Sequence, residues 1–392
     1  MPAAPSQEEI RRQNLGALLR YVHAHGPSSR AEITTAMGLN RSTIGALATD
    51  LANAGLVSEG APRETGRAGR PSPVVRPESE RVYAYAFSIE VDRVRAARIG
   101  LGGVVLDRRE APHDRGVVTA ADTIGPIADL VTQMHRGVAA NSVCVGAGVA
   151  VSGLVRRVDG LVRLGPNLGW VDEPLGAALR GSLPVDHPIS VGNAADLAAL
   201  AEHVRGAAVG CDNIIYLYGD VGVGAGIIAG GRRVTGHGGY GGEVGHMVVR
   251  PGGHGCGCGS RGCWETEIGE AALLRESGRH GHFGHDAVLT VIDAAARGDI
   301  EAKEGVRHVG DWLGFGVANL VNIFNPEMII FGGGLRDVYL AAAAQVRTRL
   351  NTMALPACRE HVRLRTPGLG DDASLIGAAE LAFEQLLTDP LG

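Results

Sequence analysis

Along the first sixty positions apolar residues return every three to four places. From Glu8 to His25, Ile10, Leu15, Leu18, Leu19 and Val22 share one helical face, and Gly26-Pro27 ends the run. Ser29, with Glu32 three residues on, forms the capping box of a second helix whose Ile33 and Met37 point inward and which Gly38 breaks. Leu39-Asn40 then turns into a third helix, about Arg41 to Ala54. Its Ile44, Leu47 and Leu51, with the Gly55-Leu56-Val57 exit, pack back. Short helix, tight turn and helix predict a helix-turn-helix, and a small helical interaction module is the other use of that shape.

At Arg81 the period changes to two. VYAYAFSIEV, RVRAARIGL and GVVLDRREA alternate between turns at Val91-Asp92 and Gly102-Gly103, which predicts a three-stranded meander. A helix from about Thr119 to Arg136, a buried strand from Val143 to Val151 and a capped helix from Ala194 to Val204 follow. A second strand set covers Asn213 to Tyr218 and Gly224 to Ile228, and a late strand covers Met328 to Phe331. The fold class is therefore α/β, with a winged helix-turn-helix followed by two lobes of actin-like (hexokinase-type) build and a cleft between them. The expected divisions are 1–62 for the DNA-binding domain, 63–80 for a basic linker, 81–192 for the small lobe and 193–372 for the large lobe. Helix 373–388 packs back on the small lobe.

Composition narrows the functional classes. A chain of 392 residues can bury several cores, and 45% apolar with 20% charged residues excludes a disordered or fibrous chain. The longest apolar-looking run, Val143 to Val155, holds three glycines and is shorter than the roughly 18 residues a membrane span needs. MPAAPSQEEIRRQ lacks the apolar stretch of a secretion signal, so a cytoplasmic location without a membrane partner is expected. Lysine occurs once, at Lys303, and arginine supplies the other fixed positive charge. Residues 1–77 carry 9 arginines against 6 acidic residues, while the rest of the chain is acidic, which confines any DNA contact to the front.

The third helix would place Arg41, Ser42 and Thr43 at base edges or phosphates of a major groove. Arg30 is a further candidate at the start of the second helix. Arg63, Arg67 and Arg70 lie in TGRAGRPSP and its approach, an extended basic segment suited to a minor groove; a flexible basic linker is the alternative.

The sharpest chemical signal is GHMVVRPGGHGCGCGSRGCWE. His246, Cys256, Cys258 and Cys263 stand at H-x9-C-x-C-x4-C spacing, four ligands suited to tetrahedral Zn2+ within a loop that glycines allow to close tightly. A disulfide from Cys256 or Cys258 to Cys263, and His254 as a competing nitrogen ligand, are the alternatives. Cys144, Cys211 and Cys358 read as small buried residues.

In order, the helix-turn-helix, SGLV, GPNLGW, GNAADLAALAE, GDVGVGAGII, GGEVGHM, CGCGSRGCWE and NPEMIIFGGG resemble the ROK family of sugar kinases and sugar-responsive repressors. The N-terminal domain makes the resemblance closest to the repressor branch. It implies a double-stranded operator, a sugar or sugar-phosphate effector, and a homodimer or homotetramer reading paired half-sites. Sugar hydroxyls would be met by Asn193, Glu243, His246 and Glu265, with Asn167 and Gly153 alongside. His246 would use one ring nitrogen for zinc and turn the other to the ligand.

The pattern breaks where phosphoryl transfer would occur. Kinases of this family have a general-base aspartate directly after the asparagine of the N-D-A motif. Here that place is Ala194, and Asp196 lies about 200° further around the helix. The D-x-G-G-T phosphate loop is replaced by Ser88-Ile89-Glu90-Val91-Asp92-Arg93, whose carboxylates would repel a triphosphate. Glycines 219, 222, 224 and 226 and the Gly332-Gly333-Gly334 turn remain. The expectation is a regulator with no catalytic residues. A residual sugar kinase fused to a DNA-binding domain, or a regulator that has lost small-molecule sensing, are the other readings.

Overall fold

The computed structural model describes residues 6–61, 72–113, 119–183 and 188–392. The first three helices are Gln7–His25, Arg30–Met37 and Arg41–Asn53. Their caps follow the local chemistry. Ser29 accepts from the Glu32 N–H while the Glu32 carboxylate accepts from the Ser29 N–H, and Asn40 accepts from the Thr43 N–H. Leu15, Leu18, Leu19 and Val22 are buried with Ile33, Ile44, Leu47 and Leu51, but Ile10 in the opening turn is 44% exposed.

The wing is a three-stranded sheet in which Val74–Pro77 lies between Val57–Gly60 and Ser28–Ser29, antiparallel to both. Residues 74–77 were expected within a linker. Val74 and Val75 instead have an apolar core to bury into, and this ties the far end of the basic segment back onto the domain. Arg63, Arg67 and Arg70 lie outside the described residues.

Each lobe is built on a five-stranded mixed sheet. In the small lobe the order is Ile189–Asn193, Val143–Val151, Val82–Ile89, Arg93–Gly100, Val104–Pro112. The first two pairings are parallel and the last two antiparallel. The large lobe repeats it: Arg363–Arg365, Met328–Gly333, Ile214–Gly219, Val223–Ala229, Arg232–Arg233, again two parallel pairings and then two antiparallel. One strand plan is thus used twice, as an actin-like fold requires. Leu154–Arg156, Leu161–Gly165 and Trp170–Glu173 add a small sheet at the rim of the small lobe.

Two helices stitch the lobes together. Ala194–Arg205, here the junction helix, packs against the C-terminal helix Ala373–Thr388 and the large-lobe sheet, while the C-terminal helix covers the small-lobe sheet. Gly377 permits the close crossing, because a Cβ there would strike the Leu197 carbonyl. The C-terminal helix also receives the first helix, so one apolar core runs from Leu15 and Leu19 through Leu381 and Phe383 to Ala84 and Ala97. The DNA-binding domain is seated on the lobes by this continuous burial.

Candidate functional site: the interlobe cleft and its metal-ligand cluster

Between the lobes lies a cavity of about 240 Å³. Its floor is the N-terminus of the junction helix. Asn193 ends a strand and caps that helix, its Oδ1 accepting from the Ala195 and Asp196 N–H groups at 2.8 and 3.2 Å. Its Nδ2 donates to the Gly153 carbonyl at 3.0 Å, leaving one amide hydrogen for a ligand. Gly153, Asn167, Asn193, Glu243, His246 and Glu265, all expected at the sugar site, line this one cavity.

Glu243 and His246 stand at the two ends of a single tight turn, with Glu243 Oε2 3.9 Å from His246 Nε2. Burial is the main force raising the Glu243 carboxyl above its usual pKa. The other ring nitrogen faces the cysteines, Nδ1 lying 3.6 Å from Cys256 Sγ. Cys258 Sγ is 3.7 Å from Cys263 Sγ, and one donor atom from each of the four residues falls within 4.8 Å of the others. Zinc about 2.3 Å from sulfur and 2.0 Å from nitrogen requires tetrahedral edges of about 3.8 Å between sulfurs and about 3.5 Å from sulfur to nitrogen. The residues fit the ion. Gly262, at φ +75°, lets the loop close, since a Cβ there would strike the Arg250 carbonyl. His254 is exposed and outside the cluster, and no disulfide joins the cysteines.

Glu265 binds the cluster to the cleft. Its Oε1 accepts from the Cys256 thiol at 2.8 Å, and its Oε2 accepts from the Val223 N–H at 3.3 Å. Sequence spacing placed this carboxylate beside the metal motif; the strand-hairpin contact through Val223 carried no comparable signal.

The two positions expected to depart from a kinase, Ala194 and Glu90, both line the cleft. Ala194 lines the cleft at 7% exposure, and Asp196 is turned away into a 2.9 Å ion pair with Arg233. Where a phosphate loop would lie, Glu90 accepts from Arg95 Nε at 2.6 Å. Arg95 in turn reaches Asp372 Oδ1 at 3.2 Å and the Asp371 carbonyl at 2.7 Å, and Arg108 joins Asp372 at 2.6 Å. Arg95 is 7% exposed, and two of its partners, Asp371 and Asp372, lie almost 280 residues away, beyond the reach of pattern reading.

In the DNA-binding domain Arg41 and Ser42 are exposed at the start of the third helix, with Thr43 partly so. The Ser42 and Thr43 hydroxyls both donate to the capping Asn40 side chain, at 2.7 and 2.9 Å. Arg30 forms a two-pronged pair with Glu59, fastening the second helix to the wing while staying partly exposed. Its position in the sequence had suggested a DNA contact; the intervening fold supplies a carboxylate of matching geometry.

A two-lobed sugar-kinase-type fold carrying a winged helix-turn-helix defines the class. The chain belongs to the ROK family, whose model matches residues 86–385. It is 27% identical over 384 residues to the xylose repressor of Bacillus subtilis, covering 97% of both chains. A crystal structure of a ROK family transcriptional regulator, a homolog of the E. coli MLC protein, superposes with a TM-score of 0.78 at 25% identity over 98% of each chain. A glucokinase of Halalkalibacterium halodurans is 31% identical but takes in only 74% of this chain, with 92% of its own. The full-length matches put the protein in the repressor branch of the family. Among the described residues no helix is long and apolar enough to cross a membrane.

Proposed function

We propose that this protein is a DNA-binding transcriptional repressor whose zinc-braced cleft senses a sugar and transfers no phosphate. The observation that carries the reading is the course of the junction helix. At one end Asn193, Ala194 and Ala195 line the cleft. At the other, Arg205 donates to the carbonyl of His23, in the first helix of the DNA-binding domain, at 2.9 Å and also binds Glu380. Twelve helical residues span about 18 Å. A ligand that changes how the lobes close moves this rod, and it shifts DNA affinity to the extent that it binds the two arrangements unequally. Zinc would be held by His246 Nδ1 and the three thiolates, and its part is to fix the imidazole so that Nε2 faces Glu243 and the ligand. Arg41, Ser42 and Thr43 are the DNA contacts this reading assigns, repeated in a homodimer or homotetramer on paired half-sites.

The test is to sequence DNA fragments retained by the purified full-length protein. Operator affinity is then measured with D-xylose, D-glucose and other free sugars added. A recovered sequence whose affinity changes with one sugar, and falls in Arg41→Ala, is the expected result. Retention of no preferred sequence, or affinity indifferent to every sugar, overturns the assignment.

A further inference from the structure

The sugar cleft opens into a second cavity of about 280 Å³ beside the Arg95 network. Glu90, Tyr218 and Asp220 line both spaces and so form the neck between them. Glu90 is already engaged, accepting from Arg95 and standing 3.6 Å from Arg93. Asp220 differs. Its backbone N–H donates to the Gly222 carbonyl at 2.9 Å, but no described side chain or N–H donates to its carboxylate. Burial first, then the charges of Glu270 and Glu90, push this carboxyl up to about 6; Asp92 adds to the effect and His285 opposes it. A partly buried carboxylate with no protein donor is served by solvent alone, and a ligand hydroxyl that displaces that solvent in the cleft would supply the donor.

The rest of the lining points the same way. Besides Glu90, Tyr218 and Asp220, its ionisable residues are Glu243, Glu265 and the metal-facing His246, and no arginine or lysine lines the cleft. Ala194 removes one negative charge from the position where a transferred phosphate would sit. Asp220 restores a negative charge on the neighbouring wall, where the charge of Glu90 is offset by Arg95.

We propose that Asp220 is a specificity-determining residue for the effector: it accepts a hydrogen bond from a hydroxyl at the end of the sugar nearest the neck and excludes a phosphate ester there. The effector is accordingly an unphosphorylated sugar. This rests on the sugar-sensing reading above and adds the ligand's charge class. Two like charges about 5 Å apart at an effective dielectric near 20 correspond to about two powers of ten in affinity.

The experiment is calorimetry on the full-length protein with D-xylose, D-glucose and N-acetyl-D-glucosamine, each paired with its terminal phosphate ester at constant ionic strength. The expected result is that at least one free sugar binds and its ester binds about 100-fold more weakly. Asp220→Asn and Asp220→Ser should each narrow that ratio at least about tenfold, with melting curves confirming that the variants fold. The ratio is the decisive readout, because a purely structural loss would weaken both ligands alike. An ester that binds wild type as tightly as its parent sugar, or a ratio unmoved in both variants, overturns the role of Asp220 while leaving sugar sensing in place. Binding of neither form of any sugar to wild type sinks the sugar-sensing reading and this assignment with it.

Discussion

His23 Nε2 lies 3.0 Å from Glu380 Oε2, with both side chains at least 95% buried, and this polar contact joins the DNA-binding domain to the C-terminal helix inside the core. Arg205 completes the cluster, its Nε on the other Glu380 oxygen and its guanidinium also on the carbonyls of His23 and Gly102. The Gly102 N–H donates to His23 Nδ1 at 2.9 Å, so three segments and the DNA-binding domain converge on one imidazole.

Removing one partner of such a buried set leaves the others uncompensated. Glu380→Ala is expected to lower stability by about 3–5 kcal/mol, read as a fall in melting temperature. Arg205→Met, which keeps the aliphatic packing, should retain sugar binding while the sugar's effect on operator affinity is lost. Calorimetry and a DNA-binding titration on the same preparation separate the two quantities.

Acid should weaken this junction in a defined window. Burial by itself would raise the Glu380 carboxyl, but His23 and Arg205 outweigh it and hold the pKa below the usual carboxylate value. A depressed folded-state pKa contributes stability that is complete above the unfolded value of about 4.3 and is lost as pH falls through the lower folded value. Thermal melts of wild type against Glu380→Gln from pH 7 to pH 3 should converge at the acid end. A constant gap across that range contradicts the assignment.

Asp220 carries the opposite sign. Its folded value of about 6 lies above the unfolded one, so its ionisation costs stability at neutral pH, and that cost disappears as pH falls toward 4. Asp220→Asn should therefore stabilise the ligand-free protein at pH 7.5 by up to about 3 kcal/mol, with the gain shrinking toward pH 4. Chemical denaturation at the two pH values measures it.

Zinc content gives a direct check on the cleft. One ion per chain is expected by elemental analysis, with loss of that ion in Cys258→Ser. Chelation should lower sugar affinity because His246 loses its fixed orientation, and typical effects of disturbing such supporting groups are about 10- to 100-fold. Full sugar affinity in metal-free protein would contradict the bracing role.

Restoring the missing base should not restore catalysis. Ala194→Asp places a carboxylate at the cleft, but Glu90, Arg95 and Asp372 still form an ion-pair network where phosphates would be cradled. A coupled ATP assay over a panel of hexoses is expected to stay at background for wild type and variant. Turnover near 1 s⁻¹ in the variant would show that the network yields to nucleotide.

Local chemistry made much of this architecture legible. Ser29 and Glu32 announced their helix because capping involves neighbours in the chain, and the period of two from Arg81 to Ala111 announced a meander although its central strand Val82–Ile89 is buried on both faces. The candidate metal ligands were legible for the same reason, all four lying in one loop of 18 residues. The pairing of Arg30 with Glu59 was hidden because Glu59 comes from the wing, and Arg95, Asp220 and the His23 cluster were silent because their surroundings are assembled largely from distant segments.

Seating the first helix on Ala373–Thr388 also imposes an order on biosynthesis. The operator-reading module leaves the ribosome early, while the surface it docks on is translated more than three hundred residues later. Until that late segment arrives, Leu15, Leu19 and Val22 lack part of their cover. A nascent chain that has not reached Ala373 would therefore hold the N-terminal module without the helix that seats it.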